Sequence, residues 1–238
     1  MLKELRHEIS QLSANLPQSI DLLALSSFKA PGKVLMLRES LIWREEELGR
    51  NALASLDAGD LVTAALLTRA VMETTGAVVY LHSLVRKAIA NGYGEELNDK
   101  LTGFLTGSKI WEDIGGAIHV NDMLREVETV IPGYFTQHYA MLSEFAHPNW
   151  SGTFGAFGIT FEDDLVVKFA RGGRGPDTRN GLIVGRLAGS VGMFTGYYNA
   201  LADMLLPFTQ AVEAFHAKNA KKTKTGGTLV PPVLCSQS

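Results

Sequence analysis

Cysteine is almost absent. The one thiol in 238 residues, Cys235, stands close to the C-terminal end. An intrachain disulfide is thereby excluded, and a thiol nucleophile in such a tail is not expected. Low cysteine usage fits a reducing compartment. The opening Met1-Leu-Lys-Glu-Leu-Arg-His-Glu-Ile9 alternates charge with apolar residues and shows no apolar run of signal-peptide type. The expected location is cytoplasmic.

Complete catalytic signatures are missing too. There is no GxSxG elbow, no HExxH, no GxxxxGK[ST] and no GxGxxG. A basic excess is lacking: formal net charge is −3, and four lysines lie beyond residue 217 with no acid among them. The preceding body holds 18 basic against 25 acidic residues. Nucleic-acid binding needs basic residues that displace counterions, so the acidic body does not favour it. Arg171-Gly-Gly-Arg-Gly-Pro176 is a single RGG-type copy, read as a loop. No membrane span is expected in the last long helical stretch. Its uncharged run between Arg186 and Asp203 covers 16 residues, and a bilayer span wants ~20.

Helical periodicity dominates what remains. Leu2, Leu5, Ile9, Leu12 and Leu16 mark an amphipathic helix over 1–16, closed by Pro17. A short helical turn is expected over 18–27, then a break at Ala30-Pro-Gly32. A helix over about 33–56 should turn Glu45, Glu46 and Glu47 to water. Asp60 is placed to cap the next helix through its carboxylate. That helix, 61–90, is apolar almost all round and so should be central, with partners on several sides. Further helices are expected over 95–105, from Asn121 to about Ile131, over 134–147, and from Gly181 to Phe215. Trp111 is the expected anchor of an irregular stretch between Gly103 and Gly116. Alternation from Gly152 to Ala170 reads as a β-hairpin around Glu162-Asp-Asp164.

The expected fold is therefore mainly α: a helical bundle around a long apolar central helix, with one inserted β-hairpin at about 152–171. Residues 1–217 form one domain, and 218–238 a disordered Lys-rich tail. Ala188, Gly192, Gly196 and Ala200 make a row of small residues that lets another helix approach. That row, or the hairpin, suggests a homo-oligomer.

Polar chemistry concentrates around Tyr139-Ala-Met-Leu-Ser-Glu-Phe-Ala-His-Pro-Asn-Trp150. Pro148 ends the helix, because it has no N–H to continue it. Glu144 and His147 form an ExxH, which puts both on one helix face. Di-iron bundles combine two such motifs with further carboxylates, so a mononuclear site here would need remote ligands such as Glu73 or His82. No metal or cofactor is expected. On the central helix Arg69 and Glu73 are four apart and able to pair. Candidate catalytic residues are Arg69, Glu73, Glu144 and His147; candidate ligand-binding residues are Tyr139, Ser143, Asn149 and Trp150.

Arg69-x-x-x-Glu73 on a long apolar helix, followed by Tyr139-x-x-Leu-Ser-Glu-x-x-His-Pro148, resembles a set of bacterial all-helical proteins related in style to the HEPN class. The likeness covers about residues 35–150. It implies a helical bundle, often dimeric, and in active members ribonuclease activity in toxin or phage-defence systems. Active members carry an Arg and a His on one helix with four to six residues between them. Here Ala140, Met141 and Leu142 take those places, so the resemblance implies ribonuclease activity only if Arg69 supplies the cation. The leading expectation is a non-catalytic interaction or ligand-binding homo-oligomer with a polar pocket at the end of helix 134–147. The alternatives are a HEPN-like ribonuclease using His147, Glu144 and Arg69, and a metal-dependent enzyme at Glu144/His147.

Overall fold

The computed structural model describes residues 1–22, 25–108, 116–160, 166–172 and 178–225. Helices α1 (Leu2–Ala14), α2 (Lys29–Asp57), α3 (Leu61–Asn91), α4 (Glu95–Thr106) and α5 (Val120–Val130) lead to a π-helical turn, Tyr134–Tyr139. Then come α6 (Ala140–Glu144), α7 (Phe154–Phe157), strands β1 (Gly158–Thr160) and β2 (Val167–Phe169), and α8 (Thr178–Thr225). Trp111, the turn at 162–164, residues 173–176 of the RGG-type loop and Cys235 lie outside the described residues.

The apolar central helix is α3. It packs most extensively on α8 and α2, then on α5. Leu61, Ala65, Val71, Met72, Val78, Leu81 and Val85 lie around it with almost no exposure. Burying a side chain of that size contributes about 1.5–3 kcal/mol, so packing, more than propensity, holds this helix. Gly76 lets α5 come close: a Cβ there would meet Leu124 Cδ2 at 3.2 Å. The helix is long and apolar enough to cross a membrane by composition, but 61% of its most apolar window is buried inside the bundle.

Several sequence expectations need correction. Ala30-Pro31-Gly32 does not break the chain but forms the first turn of α2. Proline fits there because first-turn N–H groups have no intrahelical acceptor. Glu45 and Glu46 are buried, and of the three only Glu47 faces water. Consecutive residues fan round a helix, and α2 packs on α1, α3, α4 and α8 at once. Glu46 accepts hydrogen bonds from Ser13 at 2.7 Å and Arg50 at 2.8 Å. Asp60 does stand at the α3 N-cap, yet its carboxylate makes no cap bond and instead lies 3.4 Å from Arg171. The described residues of 18–27 are non-helical.

The expected disordered tail is partly helix. α8 continues through the lysines to Thr225; the rest of the tail lies outside the described residues. The hairpin is shorter than expected, because Phe154–Phe157 is a helical turn. Its strands pair antiparallel, Gly158 with Phe169 and Thr160 with Val167. They contact each other more than any helix.

Candidate functional site

The segment after α5 begins at a backbone kink. Gly133 has φ +87°, a left-handed conformation that favours glycine. Its N–H donates to Glu128 Oε1 at 2.8 Å, while the N–H of Phe135 donates to Oε2 at 2.7 Å and that of Thr136 at 3.3 Å. These bonds hold the Glu128 carboxyl below its ordinary pKa, the Gly133 N–H contributing most. Glu128 thus caps the turn that follows. The Gly133 carbonyl then accepts from both Gln137 N–H (3.1 Å) and His138 N–H (3.3 Å). The second is the i→i+5 bond of a π-turn. Tyr134 and Tyr139 are five apart and would lie on different sides of an α-helix. The wider turn lets both be buried.

Tyr139 meets the α3 pair. Its hydroxyl donates to Glu73 Oε1 at 2.7 Å and accepts from Arg69 Nη2 at 2.9 Å. Arg69 Nε lies 3.4 Å from Glu73 Oε1, and the guanidinium carbon 5.0 Å from the centre of the Tyr139 ring. Burial and the Glu73 acceptor push the phenol pKa up, against the opposing pull of Arg69. The phenol therefore stays protonated at neutral pH. Acid and base neutralise one another, with the hydroxyl between them, although Arg69 Nε is buried without a hydrogen bond.

The C-terminal end of the segment is built differently. The helix stops at Glu144 and passes through a turn to Pro148. Ser143 Oγ donates back to the Tyr139 carbonyl at 3.0 Å. Glu144 accepts from Asn149 Nδ2 at 2.6 Å. Asn149 Oδ1 in turn accepts the N–H groups of Ser151 and Gly152 at 3.0 and 3.2 Å. These side chains organise a turn. His147 and Trp150 are exposed. The structure brings Arg69, Glu73 and Tyr139 together. Among the described residues, no hydrogen bond or ion pair joins Glu144 or His147 to Arg69 or Glu73.

On the other face of the same segment lies a feature with little sequence signal. A cavity of about 380 Å³ opens between the π-turn and α8, walled by Met72, Ile131, Tyr134, Leu182 and Met193. His138 and Arg186 enter it from opposite elements. His138 Nδ1 and Arg186 Nε are both buried and have no hydrogen-bond partner. Arg186 Nη1 donates to the Leu182 carbonyl at 2.9 Å, and Arg186 has no carboxylate partner among the described residues. Burial lowers the His138 pKa first, the neighbouring guanidinium adds to this, and Glu128 opposes it. The imidazole is thus neutral at pH 7. Burial alone lowers the pKa of Arg186, which remains charged at any ordinary pH.

Behind the cavity a polar chain runs into the core. Tyr134 Oη and Ser190 Oγ are 2.6 Å apart, and Thr75 Oγ1 donates to the Ser190 carbonyl at 3.2 Å. Beside Thr75 stands Glu45, fully buried, with neither carboxyl oxygen hydrogen-bonded. Burial pushes its pKa well up, eased only in part by Arg44 and Thr75. The carboxyl is therefore held in its neutral form, since an unpaired buried charge costs too much.

Two further ExxH pairs, Glu4/His7 and Glu213/His216, stand on α1 and α8. His216 stacks on Phe28 with ring centres 4.2 Å apart and lies 3.7 Å from Glu95. Among the described residues no three His, Cys, Asp or Glu side chains gather as metal ligands. No protein-family model, curated protein or solved structure matches this chain.

Proposed function

We propose that this protein is a non-catalytic ligand-binding protein whose recognition face is the segment 134–139 against α8. The observation that carries it is the contrast between two cations. The Arg69 charge is already answered by Glu73 and Tyr139. Among the described residues the Arg186 charge has no carboxylate paired with it, and it opens on a cavity together with an unpaired imidazole nitrogen. Cavities of a few hundred Å³ with apolar walls and a few convergent polar groups are the usual form of a small-molecule site.

The reading moves the expected polar pocket from the end of helix 134–147 to its beginning. It assigns His147 no proton-transfer role, since no hydrogen bond or ion pair among the described residues joins His147 to Arg69 or Glu73. A direct test incubates the purified protein with tRNA and total RNA beside a His147→Ala variant. Neither should cleave. Cleavage by the unmutated protein that is lost in the variant would overturn the reading in favour of a ribonuclease.

A further inference from the structure

We infer that the cavity between the π-turn and α8 is a binding site for a small amphipathic monoanion, a carboxylate with a short aliphatic or aromatic tail. This deepens the preceding proposal and rests on it. Four observations carry the inference.

The first is the arrangement of unpartnered polar atoms. Arg186 Nε and His138 Nδ1 are buried polar atoms without partners. A buried polar atom left unpaired is costly, and a guanidinium is matched best by a planar two-oxygen acceptor. Two other cavities differ. In the larger one along α2, of about 510 Å³ and lined by Asn51 and Ser55, Asn51 donates to the Glu47 carbonyl and Ser55 to the Asn51 carbonyl. At the cavity beside Pro17, Trp43 Nε1 donates to the Pro17 carbonyl at 2.9 Å. Those donors are already occupied.

The second is charge. A neutral imidazole beside one guanidinium presents a single positive charge, which suits one carboxylate better than a dianion. The third is the wall. Met72, Tyr134 and Met193 line the inside, and Ile131 and Leu182, 40% and 45% exposed, are also part of the lining. Such a surface wants apolar cover, which a bare inorganic ion cannot give.

The fourth is the α8 side. Gly181, Gly185 and Gly189, all exposed, line the cavity, and a Cβ added at any of them meets nothing within 4 Å. Each glycine weakens the helix relative to alanine. A side chain at these positions would occupy the space that a ligand tail needs.

The test is calorimetric titration of the full chain with three probes: sodium octanoate, 1-octanol and inorganic phosphate. Two variants accompany it, Arg186→Gln and Gly185→Leu, each checked by its unfolding midpoint. Octanoate should bind saturably, one per chain, with 1-octanol and phosphate at least tenfold weaker. Arg186→Gln should weaken octanoate tenfold or more, the usual effect of losing a hydrogen bond to a charged group. Gly185→Leu should abolish binding while the protein stays folded. If 1-octanol binds as tightly as octanoate, the anion assignment is wrong, although the ligand-binding reading stands. Phosphate binding as tightly as octanoate overturns the amphipathic assignment in the same way. If Gly185→Leu binds octanoate like the unmutated protein, the site lies elsewhere. If none of the three probes binds, this inference falls, and the reading beneath it is decided separately by the RNA-cleavage assay. Should Arg186→Gln fail to fold, the octanoate–octanol comparison on the unmutated chain still decides the charge question.

Discussion

The Tyr139 hydroxyl sits between a base and an acid. Removing it leaves Arg69 and Glu73 each one partner short in a half-buried setting. Tyr139→Phe should therefore destabilise the fold by about 1–2 kcal/mol. In urea unfolding this appears as a lower midpoint with an unchanged slope; an unmoved midpoint would show that the triad contributes nothing. Glu45 behaves in the opposite sense. Its folded pKa is raised, so the folded state keeps a proton that the unfolded chain releases. Stability from this group is full below the unfolded carboxyl pKa and is lost as pH rises towards the folded value. Glu45→Gln keeps the shape and removes the titration. Its melting temperature should exceed that of the unmutated protein by a margin that widens from pH 5 to pH 8. Parallel curves would contradict the burial of a neutral carboxyl. The Arg69–Glu73 pair was legible in the sequence, because four-residue spacing on an apolar helix leaves a charge no better answer. Glu45 was not. Three acids in a row read as a solvated face, and nothing local says that α2 is packed on several sides.

At the scale of elements, the π-turn decides where the side chains of residues 134–139 go. It depends on Gly133 at φ +87° and on the Glu128 cap. Gly133→Ala puts a Cβ 3.2 Å from Gln137 Nε2 in a conformation that L-residues rarely adopt. The expected cost is about 1 kcal/mol or more, with faster amide exchange at Gln137 and His138 than at the core of α3. Exchange unchanged at those two amides would mean that the turn does not rest on Gly133. Periodicity located α1 to α5 and the start of α8 within a few residues, because long amphipathic faces repeat the signal many times. It missed the π-turn, since Tyr134, Phe135, His138, Met141, Leu142 and Phe145 also fit an α-helical face. The one available hint was a buried-type residue out of phase, Tyr139, five after Tyr134. The α8 end was missed for another reason. Apolar periodicity fades after Phe215, yet lysine and alanine carry a helix well, and no glycine intervenes before Gly226.

For the whole molecule, an apolar surface stands exposed among the described residues. The hairpin leaves Phe169 70% exposed, with Val166, Val167, Phe157 and Phe154 also exposed. Phe154 and Phe169 meet edge to face, with ring centres 6.3 Å apart. A two-stranded hairpin is marginal by itself in water, and exposed apolar clusters mark contact surfaces. We propose a dimer through this arm. Light scattering at micromolar concentration should give twice the 25.8 kDa chain mass, falling to the single mass in Phe169→Asp. A monomeric mass for the unmutated protein would rule the arm out as a dimer contact. The bundle and its central helix were readable from the sequence because they follow from patterning alone. The cavity was not, because it joins His138 to Arg186, 48 positions apart, through the relative placement of two helices. No spacing rule encodes that.

The account rests on the cavity between the π-turn and α8, and NMR observes it directly. The chain, labelled with ¹⁵N, is titrated with sodium octanoate while the Arg186 Nε–H signal and the backbone amides are followed. Saturable shifts should appear at Arg186 Nε–H, at the amides of 134–139 and at those of 181–189, and at few positions elsewhere. Shifts centred on His147, Asn149 and Trp150, or none at saturating octanoate, would contradict it.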